Sequence, residues 1–155
     1  MTQTLPEDLT DALVVAVDDS APAREALRYA ATMAGDARRP LHVVSVWNFV
    51  RGPAPQPTPD APPSEPAWQA EAEQRLLELV EQEVGQRQGL AVHTHALHGN
   101  TVPTLLAVSE VARHMIVGSR GRGGFSGLLL GSTSEQLVHY ARSPVTVVRE
   151  GCTSA

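Results

Sequence analysis

Residues Leu13–Ser20 read LVVAVDDS: a short β-branched and apolar run that ends abruptly in two aspartates and a serine. No polar residue interrupts the run, so it does not alternate as a half-wet strand would. It reads as a strand buried on both faces, the pattern of a parallel sheet covered by helices on each side. The segment after it fits that reading. A helix is predicted over 22–33, with Pro22 in its first turn and Gly35 beyond its end.

Outward from this unit the alternation continues. LHVVSVW over 41–47 predicts a second strand. Trp68, Ala72, Leu76, Leu79, Val80 and Val84 recur at helical spacing and predict a long amphipathic helix reaching about Gln88. LAVHTHAL over 90–97 alternates apolar and polar, as an edge strand with one solvated face does. Val102, Leu105, Leu106, Ser109 and Ala112 mark a third helix, Met115–Val117 a fourth strand, 132–140 a fourth helix and 145–148 a fifth strand. Strands alternating with helices imply right-handed crossovers and a doubly wound parallel α/β sheet. Ligands of such sheets sit beyond the carboxyl ends of the strands. The segments to inspect are therefore Asp18-Asp19-Ser20 and whatever follows the fourth strand.

At 155 residues the chain suits one domain, and its 42% hydrophobic content is ordinary for a globular fold. No apolar run approaches the ~20 residues that span a bilayer. The polar, acidic start and the single cysteine, Cys152, lead us to expect a cytoplasmic protein without an intramolecular disulfide. A net charge of −5 argues against a general nucleic-acid-binding surface. All 12 basic residues are arginine, so any mechanism that requires lysine is excluded. Seven of the 12 prolines lie between Pro53 and Pro66, in an expected surface loop that either covers the cleft or is a plain insertion.

Six of the 12 glycines lie between Gly118 and Gly131. The stretch reads Gly118-Ser119-Arg120-Gly121, nine residues, then Gly131-Ser132. Glycines let consecutive backbone N–H groups turn inward around an anion. Ser132-Thr133-Ser134-Glu135 has the form of a capping box, which places Ser132 at the opening of the fourth helix, beside its anion-attracting end. Arg120 and Arg122 add fixed positive charge. The competing reading is structural: a cap and a long turn.

The spacing G-x2-G-x9-G-[ST] resembles the nucleotide-binding signature of the universal stress protein family. GSRGRGGFSGLLLGSTSEQLVHYARSPVTVVRE is similar to that family's C-terminal third, and VVAVDDSAPAREAL to its first strand and helix. The resemblance implies a Rossmann-like sheet in the order 3-2-1-4-5 with four flanking helices. It places the domain over 12–149, between tails at 1–11 and 150–155 and with 53–66 as an insertion. It further implies ATP as ligand, possible magnesium, and a homodimer, with the exposed apolar fifth strand as the expected contact. Phosphate contacts carry over to Gly118, Arg120, Gly121, Gly131, Ser132, Thr133 and Ser134. The ribose and metal side falls on Asp18, preceded by Ala16 and Val17. The adenine-reading backbone position falls on Val46, with Val117 beside the sugar. Asp19 departs from the pattern, standing where the family commonly has glycine.

The sequence leaves three functional readings open: an ATP-binding regulatory module, a slow ATPase at the same site, and a dimeric interaction protein that binds AMP, cyclic AMP or no nucleotide. No catalytic base is evident. The acidic pair also resembles that of phospho-receiver domains, but those need a lysine this chain lacks. Asp18 and Asp19 as simple caps of the first helix are the plain alternative. His93, His95 and His98 are expected on a solvated strand face, Trp68 in the core and Cys152 exposed.

Overall fold

The computed structural model describes residues 4–50, 55, 63–122 and 127–152. Five parallel strands, β1 (Leu13–Ala16), β2 (Leu41–Trp47), β3 (Val92–His98), β4 (His114–Gly118) and β5 (Val145–Val148), form one sheet in the order β3-β2-β1-β4-β5. The helices are α1 (Ala21–Ala37), α2 (Glu65–Glu83), α3 (Thr101–Val111) and α4 (Ser132–Tyr140). Helices α1 and α2 cover one face, packing Leu27, Leu76 and Leu79 against Val15, Val43 and Ile116. Helices α3 and α4 cover the other, packing Leu105, Val108 and Leu137 against Val14, Val44 and Met115. All four β1 residues are buried, because β1 lies at the centre of the sheet between two helical layers. This is the doubly wound fold expected from the alternation of elements.

Several boundaries differ from the sequence reading. Gly35 lies inside α1, which continues through Ala37 and stops at Arg38, a residue with φ of 53° whose N–H returns to the carbonyls of Ala34 and Gly35. Pro40 follows. Helix α2 starts earlier than expected, at Glu65, with Ser64 accepting a hydrogen bond from the Ala67 N–H, and it ends earlier, at Glu83. Glu65 and Pro66 thus belong to the helix; apart from residues 55 and 63–66, the expected proline-rich loop lies outside the described residues. Trp68 is half-buried and stacks on the buried Trp47 at a centroid separation of 6.3 Å.

The N-terminal segment, expected as a tail, contributes to the core. A single 3-10 turn, Glu7–Leu9, inserts the fully buried Leu9 under the α3/α4 face, where Leu5 also packs.

Candidate functional site

Where β1 and β4 end, their chains leave in opposite directions, β1 into α1 and β4 into the glycine loop. A cleft of about 1040 Å³ opens there and runs toward the end of β2 between α2 and α3. Its wall includes each residue carried over from the motif: Ala16, Val17, Asp18, Val46, Val117, Gly118, Arg120, Gly121, Gly131, Ser132, Thr133 and Ser134. Arg24, Arg75 and Arg122 line it as well, which the sequence reading did not single out as a set. For Arg24 and Arg75 no sequence signal was available; only packing of α1 and α2 brings them to the cleft.

The glycine end of the cleft is built around Asp18. One carboxylate oxygen accepts from the Ser20 N–H at 3.1 Å and the Ser20 hydroxyl at 2.6 Å, and the other from the Arg122 N–H at 3.0 Å. Asp18 therefore ties the start of α1 to the glycine loop. It does not cap α1; Ser20 does, accepting from the Ala23 N–H at 3.4 Å. A side chain at Gly121 would meet that same carboxylate, since a Cβ there falls 2.6 Å from the second Asp18 oxygen. Gly118 has a packing role: a Cβ would lie 2.7 Å from the Ala23 nitrogen and the Pro22 carbonyl carbon. Only a residue without a side chain lets the first turn of α1 close over the end of β4.

The opening of α4 corrects the capping-box reading. Gly131 is the N-cap and Ser132 the first helical residue, with no side-chain cap bond. Ser134 supplies the local brace, its buried hydroxyl lying 2.7 Å from the Ser119 carbonyl and 3.0 Å from that of Gly131. A second brace is the Gly131 N–H donating to Ser119 at 2.7 Å. The capping box needs a cap with a hydroxyl, and here the hydroxyl is displaced by one residue. The exposed Ser132 side chain is left facing the cleft, and helix geometry leaves the N–H groups of 132–134 without intrahelical acceptors.

Asp19 adopts a φ of 69°, in the left-handed region where glycine is favoured and aspartate tolerated. Glycine, the residue that the resemblance implies here, adopts that conformation without strain. The Asp19 carboxylate is bound by the Arg24 guanidinium and lies 3.6 Å from that of Arg122, so its charge is compensated within the protein. Arg24 also bonds Glu83 at 2.7 Å; Glu83 foremost raises its pKa above the ordinary guanidinium value, burial works against it, and Asp19 adds to the rise.

At the far end, β2 outruns β1. The last β1–β2 register pair is Ala16 with Val44, after which the Val17 N–H donates to the Val44 carbonyl. In a strand, successive peptide groups point to opposite neighbours, so Val46, two residues on, turns its N–H and C=O to the side of β1, where that strand has ended. Trp47, pointing the other way, accepts from the Gly99 N–H. The Val46 peptide thus presents a donor and an acceptor to the cleft.

The histidine reading also needs correction. His93 is exposed, as expected, but His95 is not on a solvated face: its side chain is only 9% exposed. It meets the buried His42, which the sequence reading passed over as a strand residue, and Asp8 from the N-terminal turn. The acidic partner is brought in by a segment read from the sequence as a tail. His98 stacks on Trp47 at 4.4 Å and lies 3.4 Å from Glu65. Cys152 is exposed.

A doubly wound parallel sheet in the order β3-β2-β1-β4-β5, with a glycine loop, a helix N-terminus and an open backbone edge meeting at one cleft, defines a Rossmann-like class of α/β fold. Residues 10–149 match the model of the universal stress protein family, and the chain belongs to that family. A universal stress protein of Mycolicibacterium smegmatis is 33% identical over 141 residues, which are 88% of this chain and 47% of that protein. The chain spans about half the length of the curated relatives it matches. Among solved structures, a universal stress protein in complex with cAMP is similar at a TM-score of 0.65 and 17% identity, covering 91% of this chain and 98% of that one. The universal stress protein from Archaeoglobus fulgidus in complex with dAMP gives 0.60 and 21%, covering 90% and 98%. Among the described residues no helix is long and apolar enough to cross a membrane.

Proposed function

We propose that the chain binds an adenine nucleotide, ATP foremost, in the cleft at the carboxyl end of the sheet and acts as a stress-response regulatory module. The observation that carries this reading is the convergence of three features on one cavity: the amides opening α4, the glycine loop braced by Asp18, and the unpaired Val46 peptide. Phosphates would lie on the amides of 131–134 and 118–121, where the helix end carries about half a positive charge; Arg120 and Arg122 stand beside them, paired with Glu150 at 3.9 Å and Asp19 at 3.6 Å. Adenine presents a donor beside an acceptor along one edge, the complement of the Val46 N–H and C=O. Ala16, Val17 and Val117 would bound the sugar.

Magnesium would be held by Asp18. The Asp18 oxygen bonded to Arg122 keeps a lone pair for a cation, whereas Asp19 is held by Arg24. The ion would offset phosphate charge next to that carboxylate. Slow hydrolysis at the same site is the lesser reading. A second reading, a monophosphate such as AMP or cyclic AMP in the same cleft, is favoured by the cAMP and dAMP complexes of the similar structures.

Titration calorimetry of the full chain with ATP, ADP, AMP and cyclic AMP tests the proposal. One site per chain is expected, with ATP or a monophosphate tightest, and Gly121→Val should weaken binding at least tenfold, about 1.4 kcal/mol, by displacing Asp18. Heat from none of the four, or undiminished affinity in a folded Gly121→Val protein, overturns it. We further propose a cytoplasmic homodimer joined through β5, whose outer edge has no strand partner among the described residues and whose Val145 and Val147 are half-buried. Sedimentation equilibrium showing only monomer at micromolar concentration would remove that part.

A further inference from the structure

The opposite end of the sheet carries a second cluster of chemistry-bearing side chains, unrelated to the cleft. His42 sits near the start of β2, on the same sheet face as Val44. The strand register pairs it with His93 and sets His95 beside Val44, so His42 and His95 meet on the diagonal. Their rings are nearly parallel, 9° apart, with His42 Nδ1 and His95 Nε2 separated by 3.0 Å. The 3-10 turn anchored by Leu9 carries Asp8 over this pair. Its Oδ2 lies 3.9 Å from His42 Nδ1 and 3.7 Å from His95 Nε2. Three elements thus converge three donor atoms, all within 4.8 Å of one another, a grouping capable of holding a metal ion.

We propose that Asp8, His42 and His95 form a binding site for a divalent transition-metal cation, zinc foremost, that clips the N-terminal segment to β2 and β3. Bonds of about 2.0–2.2 Å in a tetrahedron put neighbouring ligand atoms about 3.3–3.6 Å apart. Separations of 3.0, 3.7 and 3.9 Å bracket that range, so adjustments of a few tenths of an ångström suffice. Asp8, whose side chain is 49% exposed, is the member free to make them. Two imidazole nitrogens and one carboxylate oxygen are a borderline donor set that suits zinc and its neighbours, whereas magnesium and calcium prefer oxygen.

The histidines are prepared for this role. Burial lowers the pKa of both, reinforced at His42 by His93 and His95 and opposed by Asp8, so both are neutral and able to ligate near pH 7. The site is also separate from the nucleotide cleft. His42 precedes Val46 by four residues, about 13 Å along the strand.

The test uses the full chain, stripped with a chelator and freed of nucleotide, and titrated with zinc chloride against a chromophoric competitor. One zinc per chain is expected. The isosteric Asp8→Asn protein should bind at least tenfold more weakly, and His139→Gln, at an exposed position on α4, should bind like the parent. Imidazole resonances of His42 and His95 should shift on zinc addition, and the thermal midpoint should rise in the parent but not in Asp8→Asn. Because Asp8 is exposed, its substitution leaves the core intact, and the NMR readout needs no variant at all. No zinc uptake at micromolar zinc, affinity unchanged in Asp8→Asn, or shifts confined to other histidines would overturn the assignment. None of these outcomes depends on nucleotide binding.

Discussion

At Asp19 two independent demands meet: the backbone must turn through a φ of 69° to lead β1 into α1, and the side chain must not repel a polyanion at the mouth of the cleft. Aspartate satisfies the first because it tolerates the left-handed region better than most residues. It satisfies the second because Arg24 and Arg122 neutralise it. Replacing it tests both. Asp19→Gly relieves the backbone strain but adds unfolded-chain entropy and removes exposed ion pairs, so stability should change by less than about 1 kcal/mol. Affinity for ATP should rise several-fold at low salt, because a carboxylate leaves the mouth of the cleft and the Arg122 guanidinium loses its partner, while Arg24 stays bound to Glu83. Asp19→Val, β-branched at a positive φ, should lose about 2 kcal/mol in urea denaturation. Equal stability of the glycine and valine proteins would show that the turn imposes no such restriction. The identity of residue 19 as a departure was readable from sequence. Its conformation and its arginine partners were not, because Arg122 is 103 positions away.

Among elements, α1 shows how glycine can mislead. Gly35 looks like a stop signal, yet a Cβ there meets nothing within 4 Å and the helix runs through it. The chain stops where Arg38 turns left-handed ahead of Pro40, a boundary set by the proline two residues on. Gly118 looks like part of an anion cradle, yet its missing side chain is what lets α1 pack on β4. The two glycines should respond oppositely to alanine. Gly35→Ala should stabilise by about 0.5–1 kcal/mol, the ordinary gain at an unobstructed helix interior. Gly118→Ala should destabilise by about 1–3 kcal/mol, because backbone rather than a pliable side chain blocks the new methyl. Urea midpoints of the two proteins decide the matter, and a shift of the same sign in both would refute the packing account. Strand and helix identities were readable because burial on both faces and helical spacing are local properties. Helix ends were less so: the cap of α4 depends on Ser134 reaching Ser119, a contact across the glycine loop.

For the molecule as a whole, the parallel sheet and the cleft followed from the order of elements, since crossover handedness and strand ends leave little choice. The converging histidines did not, because the segment carrying Asp8 looked too polar to pack and is held by Leu9 and Leu5 under the α3/α4 face. A related consequence governs acid stability. His114, at the start of β4, lies 2.8 Å from the Thr146 hydroxyl of β5, and burial lowers its pKa below the ordinary 6.5. Above pH 6.5 neither the folded nor the unfolded chain protonates it, and its neutral burial carries no pH-dependent cost. As pH falls below 6.5 the unfolded chain takes up the proton first, so stability declines until the lowered folded pKa is passed. His114→Gln, which cannot titrate, should therefore lose less stability between pH 7 and pH 5 than the parent does. His42 and His95 titrate in the same direction and remain, so the slope should shrink without vanishing. Urea denaturation at the two pH values, with excess chelator present, measures the difference. An unchanged pH dependence in His114→Gln would mean that the proton which destabilises the sheet in acid binds elsewhere than at the β4–β5 pair.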